Sequence, residues 1–146
     1  MAVEYTLSLV KPDAFSKGHA WHILQDIASS GLKIVATRMV RMTKEQAKQF
    51  YYVHRERPFY DALTNFMSSG PIMATVLEGE GAVHKYRDLM GATDSKKAAA
   101  GTLRNKFGEN IERNAVHGSD STDNARKEIL FFFSGADLAT LGLFIG

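Results

Sequence analysis

The chain contains no cysteine, which removes disulfides, thiolate nucleophiles and thiolate metal sites at once. It has no apolar run long enough to span a bilayer, and its start, Met1-Ala2-Val3-Glu4-Tyr5-Thr6, lacks the basic-then-apolar layout of a secretory leader. The expectation is a cytoplasmic protein with no membrane partner. An excess of one charge is missing too. Lys and Arg total 18 against 16 Asp and Glu, and the formal net charge of +2 is too small to point to nucleic acid or a membrane surface. No repeat, low-complexity linker or charge block interrupts the chain. No G-x-x-x-x-G-K-[ST] stretch occurs, so a P-loop is excluded. What is there is 146 residues, 45% of them hydrophobic, which is enough for one domain (residues 1–146) with a real core.

The pattern of apolar residues divides this domain. Thr6-Leu7-Ser8-Leu9-Val10 alternates as a strand and is expected to stop at Lys11-Pro12, since proline cannot continue a paired ladder. From His19 to Ser30, Ala20, Ile23, Leu24, Ile27 and Ala28 share one helical face, with Gly31 as the stop. Leu32 to Met42 reads as a second strand. Thr43 and Gln46 form a capping-box pattern that opens a helix through about Val53. A short helix follows Pro58, around Tyr60 to Ser68. Pro71 to Leu77 is a continuous apolar strand and Ala82 to Met90 a helix. Residues 91–113 read as mostly irregular. Ala115 to Gly118 reads as a short strand, and Ser121 caps a helix through about Phe132. This order points to an α+β sandwich of the split βαβ type.

Five histidines are present: His19, His22, His54, His84 and His117. No pair has the i, i+4 spacing on one helix, with a third ligand, that a zinc site wants. His117 differs from the others in its surroundings. Asn114-Ala115-Val116-His117-Gly118-Ser119-Asp120-Ser121 sets it between an amide side chain and a Gly-Ser-Asp-Ser turn, just before the helix that carries Glu128. An imidazole in such a setting can act as a nucleophile, with a carboxylate fixing its tautomer. Glu128 lies three residues after Ala125 and four before Phe132, so it projects toward the apolar side of its helix. A carboxylate there is costly unless something pairs with it. The pattern leaves two pairings open: a helix-end salt bridge to an arginine, or a hydrogen bond to the ring of His117 with Ser119 in support. Phe59 and Leu63 likewise fit either a core-facing helix side or the wall of a binding slot.

N-x-x-H-G-S-D-S strongly resembles the active-site signature of nucleoside diphosphate kinases. Lys11-Pro12-Asp13-Ala14 and Ser69-Gly70-Pro71 match the same family in the same order, and the resemblance runs from about Tyr5 to Phe133. It implies a ferredoxin-like four-stranded antiparallel sheet covered by helices. It also implies a reaction: reversible transfer of the γ-phosphate of a nucleoside triphosphate to a nucleoside diphosphate, in two displacements through a phosphohistidine at His117. By the same resemblance, Lys11 and Asn114 bond the ribose 3′-hydroxyl, with Lys11 also near the moving phosphate. Arg87, Thr93, Arg104 and His54 hold the phosphates. Tyr51 stands beside the histidine as a hydroxyl donor. Phe59 lies flat on the base, and Leu63 and Ile111 complete the slot. Mg²⁺ is expected to ride on phosphate oxygens and water, with Asp120 assisting indirectly. The resemblance further implies a homo-oligomer, tetramer or hexamer.

The chain departs from the family pattern in places. Asp94-Ser95 stands where the family commonly has Asn-Pro, and Ala100 where it usually has Pro. Both lie in a loop that contributes to subunit contacts in the family. Residues 16–22 differ as well, with no catalytic role affected. One rival enzyme reading, a phosphohistidine relay that passes phosphate to proteins, would share His117. A ferredoxin-like nucleic-acid-binding module is disfavoured, because such modules show aromatics on their strands and these strands carry aliphatic and methionine side chains.

Overall fold

The computed structural model describes residues 2–143. Its order is β1 (Val3–Val10), α1 (Pro12–Ser16), α2 (Ala20–Ser29), β2 (Lys33–Val40), α3 (Lys44–Phe50), α4 (Tyr60–Met67), β3 (Ile72–Glu80) and α5 (Ala82–Met90). Then come α6 (Leu103–Phe107), β4 (Val116–Gly118), α7 (Thr122–Phe132) and α8 (Gly135–Thr140). Short 3-10 segments lie at Tyr52–His54 and Ser95–Lys97. The strands form one four-stranded sheet in the order β2-β3-β1-β4. Every pairing in it is antiparallel. The α+β, ferredoxin-like expectation holds.

The sheet divides the core in two. Leu7 and Leu9 point to one face, with Ile72, Ala74, Val76, Ile129 and Phe132. Val10 points to the other, with Ile23, Ile27, Leu77, Tyr86 and Val116. Because both faces are covered, β3 is buried from Ile72 through Leu77, which is why its sequence reads as an unbroken apolar run.

Several boundaries differ from the sequence reading. β1 begins at Val3 and β3 continues to Glu80 because ladder pairs from Val3↔Glu80 inward hold polar positions that carry no apolar signal. Pro12 does end β1, but it also opens α1, where its missing N–H costs nothing in the first turn. α3 ends at Phe50, and Tyr52–His54 forms a separate 3-10 turn, so the helix expected through Val53 is broken. Its capping box is present, with Gln46 N donating to Thr43 Oγ1 at 3.1 Å and Thr43 N to Gln46 Oε1 at 2.9 Å. The segment 91–113 contains α6 and one 3-10 turn, each too short to show periodicity. Ala115 is excluded from β4 by its φ of 73°. In the C-terminal stretch, α8 is capped by Ser134 and Asp137, while residues 144–146 lie outside the described residues.

Candidate active site

β4 carries the histidine. His117 pairs with Leu9 in the sheet, so its backbone is fixed by the ladder to β1. Its Nε2 lies 2.9 Å from Glu128 Oε1 on α7. Ser119 Oγ donates to the same carboxylate oxygen at 2.7 Å and accepts from Leu7 N at 3.3 Å. One connected network therefore runs from β1 to the imidazole ring. With Nε2 engaged by a carboxylate, the proton belongs on Nε2 and the lone pair on Nδ1. The Phe50 ring meets the imidazole edge-on at 5.5 Å and Tyr51 does so at 6.1 Å, closing the ring in from α3. Burial, and then the charge of Glu128, push the Tyr51 phenol well above its ordinary range, so it stays a hydroxyl. Gly118 has no room for a side chain: a Cβ there would lie 2.6 Å from Met90 and 2.8 Å from Tyr86.

Three adjoining hollows surround this network. The first, about 310 Å³, is walled by Tyr51, His54, His117, Asp120 and Glu128 among others. The second, about 300 Å³, holds Arg87, Thr93, Arg104, Ser119 and Asp120. It shares Gly118 and Asp120 with the first. The third, about 600 Å³, is mostly apolar and is lined by Lys11, Phe59, Leu63, Phe66, Thr93, Ile111 and Arg113. Thr93 joins it to the second. A ligand with a flat apolar end and an anionic tail thus has a continuous course from Phe59 to His117. Phe59 is 44% and Ile111 57% exposed, so neither belongs to the core.

Two of the cations in this course are held in place. Lys11 Nζ donates to Asn114 Oδ1 at 2.8 Å and to the Glu112 carbonyl at 3.2 Å, while Asn114 Nδ2 donates to the Thr93 carbonyl at 3.0 Å. Burial lowers the Lys11 pKa to about 8, with Asp13 opposing that fall and Arg104 adding to it. Arg104 spends two donors on the carbonyls of Gly91 and Val116, both at 3.0 Å, and burial lowers its pKa from the usual arginine value. An arginine braced in this way presents its remaining edge at a fixed angle.

All the residues singled out in the sequence meet in this region. His19, His22 and His84 do not: His19 packs on Phe107, and His84 sits 3.3 Å from Asp88. The sequence reading missed Phe50, Phe66 and Arg113. Phe66 was findable, since it follows Phe59 and Leu63 at helical spacing. Among the described residues no cluster of three or more His, Asp or Glu side chains could hold a metal.

The profile of the nucleoside diphosphate kinase family matches residues 4–138. A nucleoside diphosphate kinase of Halorhodospira halophila is 55% identical, covering 96% of this chain and 99% of its own. One from Protochlamydia amoebophila is also 55% identical, covering 91% and 94%. Among solved structures, the Aquifex aeolicus enzyme superposes with a TM-score of 0.91 at 50% identity, covering 93% of this chain and 99% of that one. The Halobacterium salinarum enzyme, solved in complex with CDP, gives 0.88 at 38% identity, covering 93% and 91%. The chain belongs to the nucleoside diphosphate kinase family, phosphotransferases that move the γ-phosphate reversibly from a nucleoside triphosphate to a nucleoside diphosphate by a ping-pong route through a phosphohistidine.

Proposed function

We propose that His117 is the phosphate carrier and that Nδ1 is the attacking atom. The observation that carries this reading is the Glu128 carboxylate on Nε2. It leaves Nδ1 as the free nucleophile and stabilises positive charge on the ring as the new N–P bond forms. In the first half-reaction the Nδ1 lone pair attacks the γ-phosphorus, and the bond to the β–γ bridging oxygen breaks. The electron pair leaves with the nucleoside diphosphate. The second diphosphate takes the same course backwards, its terminal oxygen attacking phosphorus and the N–P electron pair returning to Nδ1. Tyr51 and Ser119 hold the ring and its carboxylate in one arrangement, so that little reorganisation accompanies transfer.

The ligand's path follows from the three hollows. The base rests on Phe59 between Leu63 and Ile111, the ribose meets Lys11 and Asn114, and the phosphates run past Thr93, Arg87, Arg104 and His54. The slot offers stacking and apolar contact, which every base can use, and broad base tolerance follows. Mg²⁺ fits the donor set as an ion carried on the phosphates and water. Among the described residues Asp120 is the one carboxylate lining the hollow with Arg87 and Arg104, suited to hold a metal-bound water and not enough to bind the ion alone. When bound, the ion would neutralise charge on the phosphate oxygens. We further read the chain as one domain acting in the cytoplasm as a homo-oligomer, a tetramer or hexamer. No helix of the described residues is long and apolar enough to cross a membrane.

The test is a two-stage transfer. Enzyme incubated with γ-labelled ATP and freed of nucleotide should keep the label and release it as GTP when GDP is added. Label retained by His117→Ala, or transfer only when both nucleotides are present together, would overturn the reading.

A further inference from the structure

Two residues before the histidine, the chain makes an unfavourable turn. Ala115 has φ 73°, the one positive φ of any non-glycine among the described residues. Val116 N donates to the Asn114 carbonyl across it at 2.8 Å, closing a three-residue γ-turn. Such a conformation is strained for an L-residue and persists only where its surroundings impose it. The imposing groups all come from the start of α1. Lys11 N donates to the Ala115 carbonyl at 2.8 Å, and Ala115 N donates to Asp13 Oδ2 at 3.0 Å. Both polar groups of the strained residue are thereby tied to one short segment.

Asp13 itself calls for a reason. It is only 5% exposed, and its Oδ1 has no hydrogen-bond partner among the described residues. A carboxylate buried with a single hydrogen bond is costly unless another charge compensates. The field of Asp13 favours the charge on the buried Lys11 ammonium, and that of Arg104 opposes it. Glu112 and Arg113 line the same cleft.

We propose that Asp13 is a positioning residue of phosphate transfer: its carboxylate pins the Asn114–Ala115–Val116 turn that aims His117 and provides the counter-charge for Lys11. Through the turn, Asp13 sets where Asn114 and the β4 residues after it lie. Through charge, it keeps the lysine an ammonium at neutral pH despite burial. The inference rests on His117 as the phosphate carrier.

Two variants separate the functions. Asp13→Asn keeps an acceptor for Ala115 N and removes the charge. Asp13→Ala removes both. The readout is the rate of His117 phosphorylation by excess ATP across pH, per folded molecule, with label position checked in each protein. For Asp13→Asn the acid side of the profile should stay within about threefold of wild type, and the alkaline limb should move down by about one pH unit, the lower end of the effect of a neighbouring opposite charge. Asp13→Ala should be slower at every pH, by about ten- to a hundredfold, the scale of a misaligned reacting group. If Asp13→Ala fails to fold, the Asp13→Asn profile decides. A limb superimposable on wild type with label on His117 would overturn this inference alone. Label elsewhere in the wild-type protein would instead overturn the reading of the carrier.

Discussion

Glu128 Oε1 lies 2.9 Å from His117 Nε2 and at the same time receives the Ser119 hydroxyl at 2.7 Å. The carboxylate sits beside Ala125 and Ile129 on the inner side of α7, where it would be a liability without those partners. Its partners are the ring of His117 and the hydroxyl of Ser119, and among the described residues this oxygen forms no salt bridge to an arginine.

Replacing Glu128 should therefore act on transfer more than on binding. Glu128→Ala is expected to slow phosphorylation of His117 by roughly one to three orders of magnitude, the scale of losing a positioned polar partner. Nucleotide affinity should change far less. Rapid-quench kinetics with equilibrium nucleotide binding make the check, and wild-type turnover would remove Glu128 from the mechanism.

Lys11 predicts a pH dependence. With its pKa lowered to about 8 by burial, it is charged below that pH and neutral above. The kcat/KM profile, which reports the free enzyme, should fall on the alkaline side from about pH 8. The sign for stability is opposite. The unfolded chain keeps this proton up to the ordinary value of 10.5, so between the two values this group's contribution to stability rises with pH. Activity should thus decline across that window with no matching loss from Lys11 in melting temperature. A flat kcat/KM through pH 9 would contradict the assignment.

The slot predicts how bases are used. Phe59→Ala removes a stacking face worth roughly 1–3 kcal/mol, so KM should rise about five- to a hundredfold, more for purines than pyrimidines. Wild-type enzyme should accept both classes of diphosphate. Steady-state kinetics over four diphosphates decide it, and strict discrimination between GDP and ADP would be fatal to the reading.

The departures at Ser95 and Ala100 bear on stability. Ser95 Oγ is buried without a hydrogen-bond partner among the described residues, and the residue opens a 3-10 segment. Asp94 before it is extended, at φ −80° and ψ 112°, as a residue preceding proline prefers. Ser95→Pro combined with Ala100→Pro should stabilise by roughly 1–2 kcal/mol through the unfolded chain. Turnover should hardly change, and any oligomer should dissociate at lower protein concentration. Thermal melting and concentration-dependent sizing give the answer, and a lower melting point would mean the loop rejects proline.

Much of this was legible because the signals were local. Ala82–Met90 and Thr122–Phe132 carry their own apolar stripes, the second with a Ser121 cap, and both helices appear where the pattern places them. Glu128 betrayed itself as a carboxylate on an apolar stripe. The Ala115 turn did not, since alanine gives no sign of a positive φ and its anchor, Asp13, lies 102 residues away. Phe50 reaches His117 only through the packing of its ring against Phe131 and Phe132 of α7, which no spacing encodes. Pro12 illustrates a different ambiguity, because a residue that ends a strand can equally begin a helix.

If phosphate travels on Nδ1 of His117, the phosphoenzyme reports it directly. Enzyme labelled with ¹⁵N on histidine and phosphorylated by ATP can be examined by phosphorus and nitrogen NMR before any acceptor is added. The geometry predicts one phosphohistidine, at His117, with phosphorus on Nδ1 and a proton retained on Nε2 toward Glu128. Phosphorus on Nε2, or on any residue other than His117, would contradict it.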